Sequence, residues 1–180
     1  ICGISDRATD ELDVLFNTPA GRAFLAEKKG LSAELIDALA HFGFSSICNT
    51  LAAIKTSKLL NLGPDEAVIT VATDGGALYP SSRVTTLAER FNGEMTAVDA
   101  AEVFGRHFGH VTTEDMIECT ERDRNRIFNL GYYTWVEQQG TPLAVFEARR
   151  SQSFWRDLRK YLPVWDELIG EFNRRVAAKK

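Results

Sequence analysis

Apolar residues recur at helical spacing along most of the chain, and capping residues divide them into segments. Ser5 and Asp6 predict the cap of a helix that runs through Asp10 to Asn17. Thr18-Pro19 restarts a helix, with Thr18 at the N-cap and Pro19 at the first helical position. Lys28, Lys29 and Gly30 mark its end. Ser32 caps a third helix, whose Leu35, Ile36 and Leu39 recur on one face and which stops near Gly43. After Pro80, Ser81 to Phe91 reads as helical, as does Thr96 to Phe108, with Ala97, Val98, Ala101, Val103 and Phe104 supplying apolar faces. Thr120 to Gln139 is a further helix and carries Tyr132, Tyr133 and Trp135. Thr141-Pro142 opens another by the same cap rule, and Pro163 opens the last, which runs to Arg174, Arg175, Lys179 and Lys180.

The centre breaks this rhythm. His41 to Ile54, HFGFSSICNTLAAI, places a glycine-serine turn before a helix of small and apolar residues. Gly63-Pro64 then precedes Ala67 to Asp74, AVITVATD. A short β-branched run bounded by turn signals predicts a strand buried on both faces, closed by Gly75-Gly76. A helix followed by such a strand predicts an α/β layer with parallel strands. A single strong strand is few for an independent α/β domain, which suggests that a piece is missing.

Composition narrows the classes. The 180 residues are 44% hydrophobic and 26% charged, enough for one domain with a sizeable core. The net charge of -4 gives no electrostatic reason to expect nucleic acid as a partner. No apolar run reaches the roughly 20 residues of a membrane helix, so no membrane partner is expected. The opening ICGISDRATDEL lacks the basic and apolar regions of a signal peptide. Cys2, Cys48 and Cys119 form no CxxC pair, and a reducing cytoplasm is the expected compartment. His107 and His110 are spaced to share a helix face, but no third ligand lies near, so no metal site is expected.

Two places could do chemistry. The turn around Ser45-Ser46 can aim backbone N–H groups at an anion, although an ordinary N-cap is the simpler explanation of the turn alone. Thr73, Asp74, Gly75 and Gly76 stand at the carboxyl end of the predicted strand, where open α/β sheets bind ligands, although Asp and Gly also favour plain turns. Neither place names a reaction.

Together they carry a resemblance. GFSSICNTLAAIKTSKLLNLGPDEAVITVATDGGALYPSSR resembles the matching stretch of fold-type II pyridoxal-phosphate (PLP) enzymes, the cysteine synthase, threonine synthase and tryptophan synthase beta superfamily. The segments Leu15 to Leu25 and Asn129 to Gly140 are similar to a cysteine synthase-like branch. The resemblance implies that Gly43, Ser45 and Ser46 form a turn beside pyridoxal 5'-phosphate. It also implies that Thr73, or Asp74 next to it, meets the pyridine nitrogen. A neutral Thr there leaves the nitrogen largely unprotonated, which suits β- or γ-elimination and replacement on amino acids; the carbanion chemistry itself belongs to the cofactor.

This chain departs from the family pattern where it matters. Ile47 stands where the turn usually carries Gly. The family's lysine context and its GGGT-type phosphate loop are both missing, and Lys55 and Lys58 read as surface charges. The expected architecture is therefore α/β: the C-terminal part of a fold-type II PLP enzyme, helix-rich, with a short parallel sheet and appended C-terminal helices. Residues 1–95 would belong to the PLP-binding core and 96–180 to a helical extension. The expected activity is that of a PLP-dependent lyase or transferase on a small amino-acid substrate, incomplete as this chain alone. An N-terminal half or a partner chain would supply the Schiff-base lysine, in a homo-oligomer; Ile1 as first residue points to a fragment. A degenerate relative that binds without catalysis is the other expectation. In the absence of any family, Tyr132, Tyr133, Trp135 and Trp155 would be core or interface.

Overall fold

The computed structural model describes residues 1–178. Ten α-helices follow one another among them: α1 Asp6–Asn17, α2 Pro19–Lys29, α3 Ala33–Leu39, α4 Phe44–Leu60, α5 Pro80–Arg90, α6 Ala97–Phe104, α7 Glu121–Tyr132, α8 Leu143–Ala148, α9 Gln152–Asp157 and α10 Leu162–Ala177. The helix starts fall at the polar residues expected. Ser5, Thr18 and Ser32 each accept a backbone N–H of the first turn, satisfying a donor that the helix leaves unpaired. Thr96 and Thr120 go further: each exchanges hydrogen bonds with an aspartate three residues on, Asp99 and Asp123, in a reciprocal capping box. Gly30 ends α2 in the left-handed conformation at φ 66°, which a glycine adopts without strain. Two helices loosen into a π-turn at their ends, Gly105–Gly109 after α6 and Tyr133–Gln138 after α7. The Thr141-Pro142 start is displaced by one residue: Pro142 is the cap and α8 begins at Leu143.

The chain divides into two compact units, residues 1–118 and residues 119–180, a boundary later than residue 95. In the first, α1 is the central element, packed by α2, α4, α5 and α6. Its residues from Glu11 to Phe16 are buried without interruption, as befits a helix enclosed on all sides. Leu12, Leu15 and Phe16 meet Leu25 of α2, Ile47 and Leu51 of α4, and Ala100 and Val103 of α6 in one core. The α1–α2 corner is tight. A Cβ on Gly21 would lie 2.0 Å from the Leu15 carbonyl oxygen, so only glycine fits there.

In the second unit, Phe146 is the one fully buried residue among those described, at 2% exposure. Its ring lies 4.7 Å from Phe128 and 6.2 Å from Tyr132, with the Arg149 guanidinium 4.5 Å over its face. Tyr133, Trp135 and Trp155 are about half exposed and not core.

The expected α/β architecture is overturned. The chain is 70% helical, and among the described residues there is no sheet. Pairing is confined to two isolated bridges, Cys2 with Met116 and Phe42 with Gly75. Ala67 to Asp74, expected as a strand buried on both faces, is exposed from Ala67 to Thr73, with Ile69 at 92%, and only half-buried at Asp74. A strand gains its ladder only from a neighbour, and β-branched composition cannot supply one. Among the described residues no helix is long and apolar enough to cross a membrane.

Candidate functional site at the start of helix α4

The turn that opens α4 and the end of the apolar run meet through Asp74. The first turn of a helix presents N–H groups with no partner inside the helix, together with the positive end of its dipole. Gly43, the N-cap, has no side chain to answer them. Asp74 answers from 28 residues away. Its Oδ1 accepts the Ser46 N–H at 2.9 Å and its Oδ2 the Ser45 N–H at 3.2 Å. The Ser46 hydroxyl lies 2.9 Å from the Asp74 carbonyl oxygen and 3.0 Å from Oδ1, and donates its one proton between them. Gly43 N–H donates to the Asp74 carbonyl at 3.2 Å. Asn49 ties the same segment down, its side-chain amide donating to the Val71 carbonyl at 2.9 Å.

Tyr79 completes the cluster. Its hydroxyl donates to Asp74 Oδ2 at 2.6 Å while its ring stacks on Phe44 at 4.2 Å. A Cβ on Gly43 would come within 2.5 Å of the Asp74 carboxyl and 2.9 Å of the Tyr79 ring, so the glycine is what lets the carboxylate reach the turn. Burial acts to raise the Asp74 carboxyl, but the hydrogen bonds from Tyr79, Ser45 and Ser46 outweigh it and hold the pKa at about 2. The same Asp74 hydrogen bond pushes the Tyr79 phenol above its ordinary value.

All five residues singled out in the sequence are thus brought to one place, though in unequal roles. Gly43, Ser45, Ser46 and Asp74 form the hydrogen-bonded turn. Thr73 is exposed beside it, and its hydroxyl has only a 3.5 Å contact to Asp74 Oδ1, too long to satisfy it. The two nearby lysines are engaged elsewhere. Lys55 Nζ donates to the carbonyls of Glu114 at 2.7 Å and Gly3 at 3.2 Å, and Lys58 Nζ donates to Val111 at 2.5 Å.

A second polar cluster lies in the core and has no counterpart in the sequence reading. Asp13, fully buried on α1, receives both arms of Arg83 from α5 at 2.8 and 2.9 Å. Burial outweighs these bonds and pushes the Asp13 carboxyl above its ordinary range. Glu11, two residues earlier and so on nearly the opposite side of α1, meets Arg7 at 2.7 Å, Arg106 at 3.1 Å, Arg90 at 3.5 Å and His107 Nε2 at 2.7 Å. Burial would raise its carboxyl too, but the hydrogen bonds of His107 and Arg7 prevail and lower it. The available signal was a pair of carboxylates at the apolar stretch Leu12 to Phe16, Glu11 just before it and Asp13 within it, which a helix exposed on one face would not place so. His107 is therefore a hydrogen-bond partner of Glu11, and no group of three or more His, Cys, Asp or Glu among the described residues is placed to hold a metal.

No protein-family model matches the chain, and neither a curated protein nor a solved structure matches it.

Proposed function

We propose that this chain is part of a PLP-dependent lyase or transferase acting on amino acids by β- or γ-elimination or replacement, whose Schiff-base lysine and phosphate loop lie outside these residues. The observation that carries the reading is the Asp74 bridge. It joins the Gly43–Ser46 turn to the end of the Ala67–Thr73 run, two segments that local sequence gives no reason to join.

The residues fit one end of the cofactor. They do not fit its phosphate: the N–H groups of the α4 turn are taken by Asp74, whose charge at neutral pH repels a phosphate. They do fit the pyridine end. Both Asp74 oxygens are turned onto α4 and Tyr79, which leaves the Thr73 hydroxyl as the exposed donor for a ring nitrogen. The cofactor, once bound, supplies the electron sink for a carbanion at the amino-acid α-carbon. Thr73 would donate a hydrogen bond to the ring nitrogen without protonating it. The exposed apolar side chains of Val68, Ile69 and Val71 are compatible with the same reading, because they offer apolar surface that another segment could cover.

One feature favours a second reading, a relative that binds a partner without catalysis. The anion-binding turn is filled by the chain's own carboxylate, and Lys55 and Lys58 are bonded to backbone carbonyls. The two readings separate in the native protein, purified from its own cells with any chain that accompanies it, reduced with borohydride and mapped by peptide mass. The enzyme reading expects a PLP–lysine peptide outside residues 1–180, and Thr73→Ala should shift the bound cofactor's absorbance. A native preparation devoid of PLP would favour the binding reading. An adduct on Lys55 or Lys58 would overturn the assignment of the lysine to another part.

A further inference from the structure

A small cavity in the first unit is walled by the segment that leads into α1, by α4 and by the chain that follows α6. Its volume is about 180 Å³. That is room for about six waters, and so for an ion the size of phosphate but not for a nucleotide. Ala8 and Leu51 give it a buried apolar wall, and Lys55, Arg106, His107 and His110 supply its nitrogen groups. None of these residues takes part in the Asp74 turn.

His107 is held rigidly at this cavity. Its side chain is only 9% exposed, and its Nε2 lies 2.7 Å from Glu11 Oε2. The Glu11 carboxyl, held below its ordinary value, is ionised and only accepts, so Nε2 carries a proton. Nδ1 has no partner among the described residues and is not buried, so it opens onto the cavity that His107 lines. There it accepts in the neutral ring and donates in the imidazolium, whose charge Glu11 compensates. The other nitrogen groups have donors to spare. Lys55 Nζ gives two of its three protons to the carbonyls of Glu114 and Gly3. Arg106 holds Glu11 through Nη1 at 3.1 Å, while its Nη2 comes no nearer to Glu102 than 3.9 Å. His110 makes no hydrogen bond among the described residues. Glu114 and Asp115 are the acidic residues of the lining. Both are exposed, and it is their carbonyls that bond the wall, to Lys55 and, at 2.8 Å, to the Gly3 N–H.

We infer that this cavity binds a phosphate group, with His107 Nδ1 and His110 as its contacts and Arg106 and Lys55 as its positive charge. Near neutral pH a phosphate carries oxygens that accept and, in part, a hydroxyl that donates. It therefore has a partner for Nδ1 in either state of the ring, whereas a carboxylate has one only for the imidazolium. The spare donors of Arg106, Lys55 and His110 suit the same acceptor-rich ligand. The site depends on no cofactor and shares no residue with the Asp74 turn, so its failure would leave the proposed function untouched.

The histidines make the test direct, because His107 and His110 line the cavity and His41, the third in the chain, does not. Proton–nitrogen NMR spectra of the imidazole rings are recorded while the full chain is titrated with inorganic phosphate at constant pH and ionic strength. His107 and His110 should shift together with about millimolar Kd, and His41 should stay in place. Methyl phosphate and acetate are the comparison probes. Acetate bound as tightly as phosphate would overturn the phosphate assignment. Methyl phosphate bound more tightly than phosphate supports an esterified phosphate as the source, and weaker binding supports the free ion. His107→Gln keeps an N–H for Glu11 but removes the second ring nitrogen, and should weaken phosphate about tenfold. Asp115→Asn acts at an exposed residue whose φ of 58° asparagine tolerates, and leaves the buried groups alone. It removes a negative charge beside the site and should tighten phosphate about threefold. Phosphate binding that weakens in this variant would overturn the inference. So would a His107 ring that does not shift up to about 50 mM phosphate, or a His41 shift as large as its own.

Discussion

Asp74 closes the amino terminus of a helix that has no capping side chain of its own, and it does so from a distant part of the chain. Replacing it by Asn keeps the shape but weakens the bonds to Ser45, Ser46 and Tyr79. A cost of about 1 kcal/mol is expected, measured as a lowered midpoint in urea. The pH dependence has a definite sign. The folded pKa is depressed to about 2 from the ordinary 3.8, so the carboxylate's contribution is complete above the ordinary value and is lost as the pH falls through about 2. Tyr79→Phe removes the shortest of these hydrogen bonds and should move the Asp74 titration, followed by carboxyl NMR, upward. A titration that does not move would show that the phenol does not hold the carboxylate. The Asp13–Arg83 pair belongs to the same scale. Arg83→Met leaves a buried carboxylate without its partner and should cost about 3–5 kcal/mol, while adding Asp13→Leu should recover most of it. A single variant as stable as the parent would refute the pairing.

Elements in this chain are set by their ends and by the space between them. The capped starts of α1, α2, α3, α6 and α7 were legible because a cap is a contact between residues about three apart, contained in the sequence itself. The α1–α2 corner was not, since Gly21 looks like a helix-weakening residue until the Leu15 carbonyl is seen 2.0 Å from where its Cβ would be. Gly21→Ala should therefore destabilise by about 2–3 kcal/mol, against the usual gain from removing a helical glycine. Thermal denaturation of the variant decides between the two signs. The Ala67–Thr73 run shows the reverse failure. Its composition was read correctly as β-branched and apolar, and its burial was read wrongly, because burial is conferred by neighbours. Ile69→Lys, at a side chain 92% exposed, should leave the melting temperature unchanged and reduce aggregation of the chain.

At the scale of the molecule, the two units differ in what holds them. Residues 1–118 enclose α1 in a continuous core, whereas the described residues from 119 onward bury a single aromatic ring and expose the apolar faces of α7, α8 and α10. A segment of this size must bury roughly 60% of its surface to fold alone. Residues 1–118 expressed separately should thus melt cooperatively. Residues 119–180 should show helical circular dichroism only at concentrations where they associate. A sharp, concentration-independent melt of the second piece would contradict that.

The sequence by itself determined where α1, α2, α3, α6 and α7 begin and where α2 ends, because capping, proline placement and glycine termination act within one turn of chain. It also picked out Gly43, Ser45, Ser46, Thr73 and Asp74 as belonging together, though through the likeness of a whole stretch and not through any local rule. The tertiary structure alone decided how those residues meet, with Asp74 filling the turn that the sequence left as either an anion site or an ordinary N-cap. It alone decided that the apolar run pairs with no strand, and that Glu11 and Asp13 sit inside the core with arginines drawn from α5, from the turn after α6 and from α1 itself. The physical reason is the same in each case. Pairing, burial and ion pairing are contacts between residues far apart in the chain, and the free energy that fixes them resides in the partner and not in the residue.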